Sequence, residues 1–350
     1  MRLASVNQDR GIRPGAAKGA AVHLQCMREA FEKCGAEVLE IDERHGEEVA
    51  DRLERLHSNL PLDAVYERYA LEASAGSDFC HAAGLPHVLE VNAPLLEEAE
   101  RHRDFEVTDE VVATETRVFQ RAHRILAVSQ GVADSVLARG VDPDSVWVRP
   151  NGVDTDRFVP RRRPAGPAGP FVLGFHGRLR PWHAFDRLAQ VLAELLDRGH
   201  DVHLELVGRG DFAEHLEGRV PADRWSHVDW VPHDEVARRV ARFDAMALTY
   251  SPDAPCYFSP LKLLEAMAVG AVPVVPALGD LESVVKDGVN GLVYPPGDTA
   301  AVVEALERII TDVPLRVRLL EAAVATAQGH SWQKLAEEVL AVLDRGAMAP

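Results

Sequence analysis

Ser259-Pro-Leu-Lys-Leu-Leu-Glu265-Ala-Met-Ala-Val-Gly270-Ala-Val-Pro-Val-Val275 joins a turn that offers backbone donors, a helix and a buried strand. Ser259 is a good N-cap residue, and Pro260 suits a first helical turn, where its missing N–H costs nothing. The free amides of that turn, those of Phe258, Ser259 and Leu261 among them, would face an anion together with the positive end of the helix dipole. The chemistry this suits is diphosphate binding. Lys262 lies on the same helix near the phosphates, where it serves either as a direct contact or as a solvated helix lysine. Glu265, five residues beyond Pro260, is within reach of the ribose of a nucleotide whose diphosphate sits on the helix start. Gly270 closes the helix, and Val272–Val275 reads as the next strand.

Other polar groups fall at strand ends. Arg178 follows Gly177 at the end of an apolar run, where open parallel sheets bind ligands, and arginine suits a bidentate phosphate contact. Gly19 and Ala20 open a helix after a Gly- and Pro-rich loop and offer amides to a distal phosphate, with Lys18 adding charge. Gly208-Arg-Gly210 imitates a dinucleotide fingerprint but lacks its third glycine. Asp142-Pro-Asp144 and Asp154-Thr-Asp156 imitate a metal-binding DxD, yet both fall in turns, so no metal site is assigned.

These residues need a frame, and short apolar strands alternating with amphipathic helices supply one, the pattern of a parallel sheet covered on both faces. In the first half, strands are expected at Leu3–Val6, Glu37–Ile41, Ala64–Tyr66, His87–Val91, Arg124–Val128 and Ser145–Val148. In the second they are expected at Phe171–Phe175, Val202–Val207, Val228–Trp230, Ala245–Thr249, Val272–Val275 and Gly291–Tyr294. Helices are expected at Ala20–Cys34 and Val107–Ala122, and residues 43–56 read as a solvated charged helix. The proline- and glycine-rich run 161–170 marks a boundary.

In order along nearly the whole chain stand the glycine loop Gly15 to His23, Pro150-Asn-Gly-Val-Asp-Thr-Asp-Arg-Phe158, Gly177-Arg-Leu-Arg-Pro-Trp-His183, Leu206-Val-Gly-Arg-Gly210, the Glu265 helix and Asp287-Gly-Val-Asn-Gly291. With these parts in this order the chain resembles the retaining nucleotide-sugar glycosyltransferases of glycosyltransferase family 4. The resemblance implies an α/β GT-B fold, two Rossmann-like domains facing each other across a cleft. Residues 1–163 would form the acceptor-side domain, joined by a C-terminal helix within 332–350, and residues 168–331 the nucleotide-sugar-binding domain.

It also implies roles. Arg178 is usually paired with a lysine five residues on, a position held here by His183. The family's first glutamate falls on Tyr257, whose phenol would meet sugar hydroxyls, while Glu265 is the second. The base would lie between the Gly208 loop and Trp230-Val231-Pro232. The histidine that ends a strand before the acceptor loop in many relatives falls on Asn92, which can orient a hydroxyl but cannot act as a base. That fits a front-face reaction in which the leaving phosphate deprotonates the acceptor. Tyr66-Glu67-Arg68-Tyr69 and His23 would line the acceptor side, with a Glu67–Arg68 ion pair as the alternative. The implied activity is transfer of a sugar from a nucleotide diphosphate to a small or soluble acceptor, with retention and with neither metal nor cofactor beyond the donor. A non-catalytic or partner-dependent nucleotide-sugar binder and a nucleotide-sugar epimerase are the alternatives.

Composition narrows the partners. The 350 residues carry 38 Lys+Arg against 55 Asp+Glu, a formal charge of −17, with both halves acidic. Nucleic acid needs a basic face, and an anionic membrane a basic or amphipathic one. Both are therefore argued against. No apolar run approaches the ~20 residues of a membrane span, and the start reads as a strand, not a signal peptide, so a cytoplasmic site of action is expected. Four cysteines without CxxC spacing read as reduced thiols. The sequence does not fix the oligomeric state.

Overall fold

The computed structural model describes residues 1–12, 19–43, 48–102, 105–160, 169–254, 257, 259 and 261–346. The chain divides into two compact units, one of Met1–Gly152, Tyr257–Ser259 and Trp332–Pro350, the other of Val153–Cys256 and Pro260–Ser331.

The first unit holds β1 (Arg2–Asn7), β2 (Glu37–Asp42), β3 (Ala64–Arg68), β4 (His87–Val91), β5 (Arg124–Ala127) and β6 (Val146–Val148). They form a parallel sheet in the order β2-β1-β3-β4-β5-β6. Parallel strands covered on both faces need side chains that bury on both faces, and β4 is buried at all five positions. The helix Gly19–Lys33 packs beside β2 and the C-terminal helix Trp332–Gly346. The helix Asp109–Arg121 buries Val111, Val118 and Phe119 and is capped by Thr108, whose hydroxyl accepts the Val111 N–H. Order reverses between β1 and β3, so this sheet's ligand crevice is expected beyond the carboxyl ends of those strands.

The second unit holds β7 (Phe171–His176), β8 (Val202–Val207), β9 (Trp225–Val228), β10 (Ala245–Ala247), β11 (Val272–Pro276) and β12 (Leu292–Tyr294). Their order is β12-β11-β10-β7-β8-β9, again all parallel. The reversal lies between β7 and β10, the arrangement of a dinucleotide-binding fold. Gly174 in β7 lets the ring of Phe243 lie where a Cβ would stand, 2.0 Å from the ideal position. The helix Leu261–Ala268 buries Leu263, Leu264, Ala266 and Met267, and Gly270 ends it at φ +85°.

Three expectations shift, the first being the charged helix read at 43–56, which spans Val49–Asn59 and buries Val49 and Leu53. The third strand of the second unit lies at Trp225–Val228, because the ladder with β8 runs from Leu204↔Trp225 to Val207↔Val228. Asp229 and Trp230 fall beyond it, with Trp230 51% exposed. The first unit ends at Gly152 instead of 163, because Val153 forms a bridge with Ser331 and its N–H donates to His330 O at 2.8 Å. Val153 and Phe158 are buried with the second unit's core.

Candidate functional site

The second unit gathers most of the residues singled out for phosphate chemistry. At the end of β7 the chain turns through Gly177 at φ +102°, and at the end of β8 through Gly208 at φ +125°, a region that favours glycine. The two turns are tied together: the Gly177 N–H donates to Val207 O and the Leu179 N–H to Arg209 O, both at 2.8 Å. A Cβ on Gly208 would lie 2.4 Å from Gly177 O, so the loops meet backbone to backbone. Arg178, next in sequence, is exposed and carries no ion pair among the described residues. Its charge is thus available to an anion.

His183 closes the short helix Pro181–His183 and is 4% exposed. Its Nδ1 accepts the Arg180 backbone N–H at 3.0 Å, its carbonyl accepts the Thr249 hydroxyl at 3.0 Å, and its Nε2 lies 2.8 Å from Lys262 Nζ. Burial, then the Lys262 and Arg180 cations, push the imidazole down to about 3, so it is neutral. Lys262 is half-buried, with Nζ 4.8 Å from the centre of the Phe175 ring. Burial pushes its ammonium down to about 7, Glu265 opposing and Arg180 reinforcing. Of the two roles open to Lys262 in the sequence, the solvated surface lysine does not hold.

Glu265 lies between two histidines. Its Oε1 is 3.1 Å from His233 Nε2 and its Oε2 3.6 Å from His176 Nδ1. His176 is held neutral-leaning by burial, against the pull of Glu265, and its Nε2 donates to the Lys262 carbonyl at 3.1 Å. Val231 packs half-buried against the core next to exposed Trp230. Leu261 begins the helix, half-exposed.

The first unit holds a second polar group. Glu90 on β4 is fully buried, its Oε1 3.0 Å from His23 Nε2 and its Oε2 3.6 Å from Arg68. Arg68 in turn donates to His23 Nδ1 at 2.7 Å, which fixes the His23 proton on Nε2, facing the carboxylate. Burial alone would raise Glu90, but His23, Arg68 and the Asn92 amide hold it below the usual carboxylate range. Tyr66 is buried beside it, its phenol pushed well up by burial and by Glu90. Asn92 Oδ1 accepts the Asn151 amide at 3.3 Å, and Asn151 Oδ1, itself buried, has no hydrogen-bond partner among the described residues.

The supposed Glu67–Arg68 ion pair is absent. Glu67 instead meets His87 Nε2 at 3.0 Å and accepts from Gln8, because neighbouring residues on a strand point to opposite faces. Tyr257 groups with the first unit: its phenol donates to Glu98 at 2.6 Å, and its carbonyl accepts the hydroxyl of Ser129, the N-cap of the helix Gln130–Leu137. Ser259 Oγ accepts the Asn151 N–H at 2.8 Å. Gly19 and Ala20 open the helix Gly19–Lys33, while Lys18, Phe258 and Pro260 lie outside the described residues. Both aspartate pairs cap turns, Asp142 accepting from Asp144 N and Asp154 from Asp156 N and Arg157 N.

Sequence reasoning passed over Glu90, Glu98, His176 and His233. The signal for Glu90 and His176 was an ionisable residue within or ending a largely apolar strand, His-Val-Leu-Glu-Val and Phe-Val-Leu-Gly-Phe-His.

Residues 17–157 match the family model described as Glycosyltransferase Family 4, and residues 170–312 that described as Glycosyl transferases group 1. The D-inositol 3-phosphate glycosyltransferase of Actinosynnema mirum is 31% identical over 312 residues, 83% of this chain and 74% of that protein. That of Stackebrandtia nassauensis is 28% identical over 327 residues, 83% of this chain and 70% of that protein. Among solved structures, Anabaena Alr3699/HepE in complex with UDP aligns with a TM-score of 0.75 at 19% identity, covering 99% of this chain and all of that one. A glycosyltransferase from Rickettsia africae aligns at 0.73 and 13% identity, covering 100% and 99%.

Proposed function

The chain belongs to glycosyltransferase family 4 and has the GT-B fold, and on that premise we propose that this glycosyltransferase takes its sugar from a nucleotide diphosphate and passes it, with retention, to a small soluble hydroxyl acceptor in the cytoplasm. The observation that carries the donor reading is the pair of interlocked glycine turns beside Arg178, Lys262 and Glu265 at the switch point of the second sheet. A leaving diphosphate demands concentrated positive charge and N–H donors as the glycosidic bond breaks. Arg178 and Lys262 supply charge without a metal, Glu265 suits the ribose hydroxyls, and Val231 with Trp230 suits the base.

On the acceptor side, Asn92 and the unpartnered Asn151 carbonyl oxygen favour a polyhydroxyl ligand, with Tyr66, His23 and Arg68 bracing the buried Glu90 behind them. The carboxylate beside Asn92, that of Glu90, is buried and held by His23 and Arg68 and so is not a ready base, which favours deprotonation of the acceptor by the leaving phosphate. UDP-sugars are the first donors to try, since the Anabaena neighbour is described with UDP, glucose and UDP-glucose. Inositol phosphates are the first acceptors, since curated relatives are named for D-inositol 3-phosphate.

The test is a thermal-shift screen of UDP-, GDP-, ADP- and dTDP-sugars, followed by assay of diphosphate release with an acceptor panel. A ligand that binds only the folded chain raises its unfolding temperature. One responsive nucleotide whose sugar is transferred supports the reading; silence across donors and acceptors removes it.

A further inference from the structure

The His183–Lys262 contact has an unusual proton count. Nδ1 of His183 accepts the Arg180 backbone N–H at 3.0 Å, so its lone pair points at that amide and a neutral imidazole must carry its proton on Nε2. Nε2 in turn faces Lys262 Nζ at 2.8 Å. Two donors cannot share that contact. An ammonium at Nζ would need a lone pair at Nε2, and the imidazole has none left to offer. The arrangement is satisfied when Nε2–H donates to an uncharged amine.

We propose that His183 and Lys262 form a proton-loaded latch for the donor diphosphate: they hold each other through one Nε2–H···Nζ hydrogen bond, and an arriving anion draws one proton from solvent onto Lys262. The two nitrogens are then both donors, the bond between them is lost, and both turn to the phosphate oxygens. The proton comes from water or buffer, and no covalent bond changes. This rests on the donor reading above and deepens it, because it supplies a second cation beside Arg178 at a position where His183 alone offers no charge.

The surroundings fit. Nζ would stand 3.7 Å from a Cβ built on Gly177, so the amine already borders the glycine turn that carries Arg178. The groups facing Lys262 are Glu265 on its own helix, Arg180 and His183 from the segment after β7, and His176, which binds the Lys262 carbonyl; His233 stands beyond Glu265. Burial and Arg180 oppose a charge on Nζ, while Glu265 favours one. A diphosphate would add anionic charge to the Glu265 side of that balance and tip it.

The first experiment needs no ligand. The chain has five lysines, so NMR of lysine Cε in the whole protein resolves each one's titration. One lysine is expected to titrate near 7, and its signal should vanish in Lys262→Met and Lys262→Arg. Lys262 titrating at its ordinary value would overturn the latch. The second is calorimetry of nucleotide-sugar binding from pH 6.5 to 9 in buffers of different ionisation enthalpy. A nucleotide sugar is the right probe because its diphosphate does not titrate in this window.

Wild-type protein should take up close to one proton at the upper end, and Kd should rise by about tenfold per pH unit above 7. Lys262→Arg, always charged, should bind without uptake and with a flat pH profile. A flat wild-type profile, or uptake that persists unchanged in Lys262→Met and therefore belongs to a histidine, overturns the proposal. If Lys262 titrates near 7 and no nucleotide sugar binds at any pH, the donor reading fails and the latch with it. A bound donor without proton uptake sinks the latch alone.

Discussion

Replacing Gly208 by alanine tests whether the two glycine turns are built around each other. The new Cβ would stand 2.4 Å from Gly177 O and 2.8 Å from Gly177 C, about 1 Å inside ordinary contact. Neither flank is a flexible side chain that can swing away. Relief requires the turns to separate, which strains the Leu179 N–H to Arg209 O and Gly208 N–H to Val228 O bonds of 2.8 and 2.9 Å, each worth about 1 kcal/mol. The positive φ of +125° adds about 1–2 kcal/mol for a residue with a side chain. The expected destabilisation is about 3–4 kcal/mol. Gly218→Ala is the control: its φ is +75° and nothing lies within 4 Å of its Cβ, so only the backbone cost of about 1–2 kcal/mol applies. Urea unfolding of both variants reads the difference, and nucleotide-sugar affinity should fall only for Gly208→Ala. Equal destabilisation of the two would refute the close approach, and an unchanged affinity would refute its part in the donor site.

Glu265→Ala should weaken nucleotide-sugar binding by about 10- to 100-fold, the worth of hydrogen bonds to a charged group, measured by calorimetry; an unaltered Kd would remove Glu265 from the ribose. Asn92→Ala should lower kcat by about tenfold while donor Kd stays put, as the proposed role of its amide in orienting the acceptor requires; steady-state kinetics separates the two. Acid stability should show the buried histidine. His183 is depressed to about 3 in the folded chain against its ordinary value of 6.5, so its contribution is present above 6.5 and is lost as pH falls from there towards 3, at about 1.4 kcal/mol per pH unit while only the unfolded chain binds the proton. His176 shifts in the same direction. Glu90, held low, adds a further loss once pH drops below its unfolded value. His183→Gln should make the slope between pH 6.5 and 4.5 shallower in urea unfolding, and an unchanged slope would mean that His183 is not buried neutral.

The strands were legible because parallel sheets bury both faces and leave runs such as His87–Val91 and Val202–Val207 with nothing else to become. The third strand of the second unit slipped by three residues because Trp225-Ser-His-Val228 carries two polar residues at the sheet edge, while Val228-Asp-Trp230 looked equally extended; the ladder with β8 decides. Gly177 and Gly208 were readable as following apolar runs and Gly270 as closing a helix, and all three have positive φ. Side-chain partnerships were not readable. Arg68 pairs with Glu90 across the β3–β4 register, where Arg68 stands opposite Glu90, and adjacency in sequence pointed to the wrong glutamate. Lys262 and His183 are 79 residues apart, so neither local pattern hinted that one sets the charge of the other.

The most direct test of the central claim is acceptor-dependent transfer. The protein would be incubated with each nucleotide sugar and a panel of inositol phosphates and saccharides, with nucleoside diphosphate release measured alongside the product's anomeric configuration by NMR. The account predicts release that requires both partners and a product with the donor's configuration. No release with any pair would contradict the transferase reading, an inverted product would contradict the front-face chemistry, and an isomerised donor formed without acceptor would mark an epimerase.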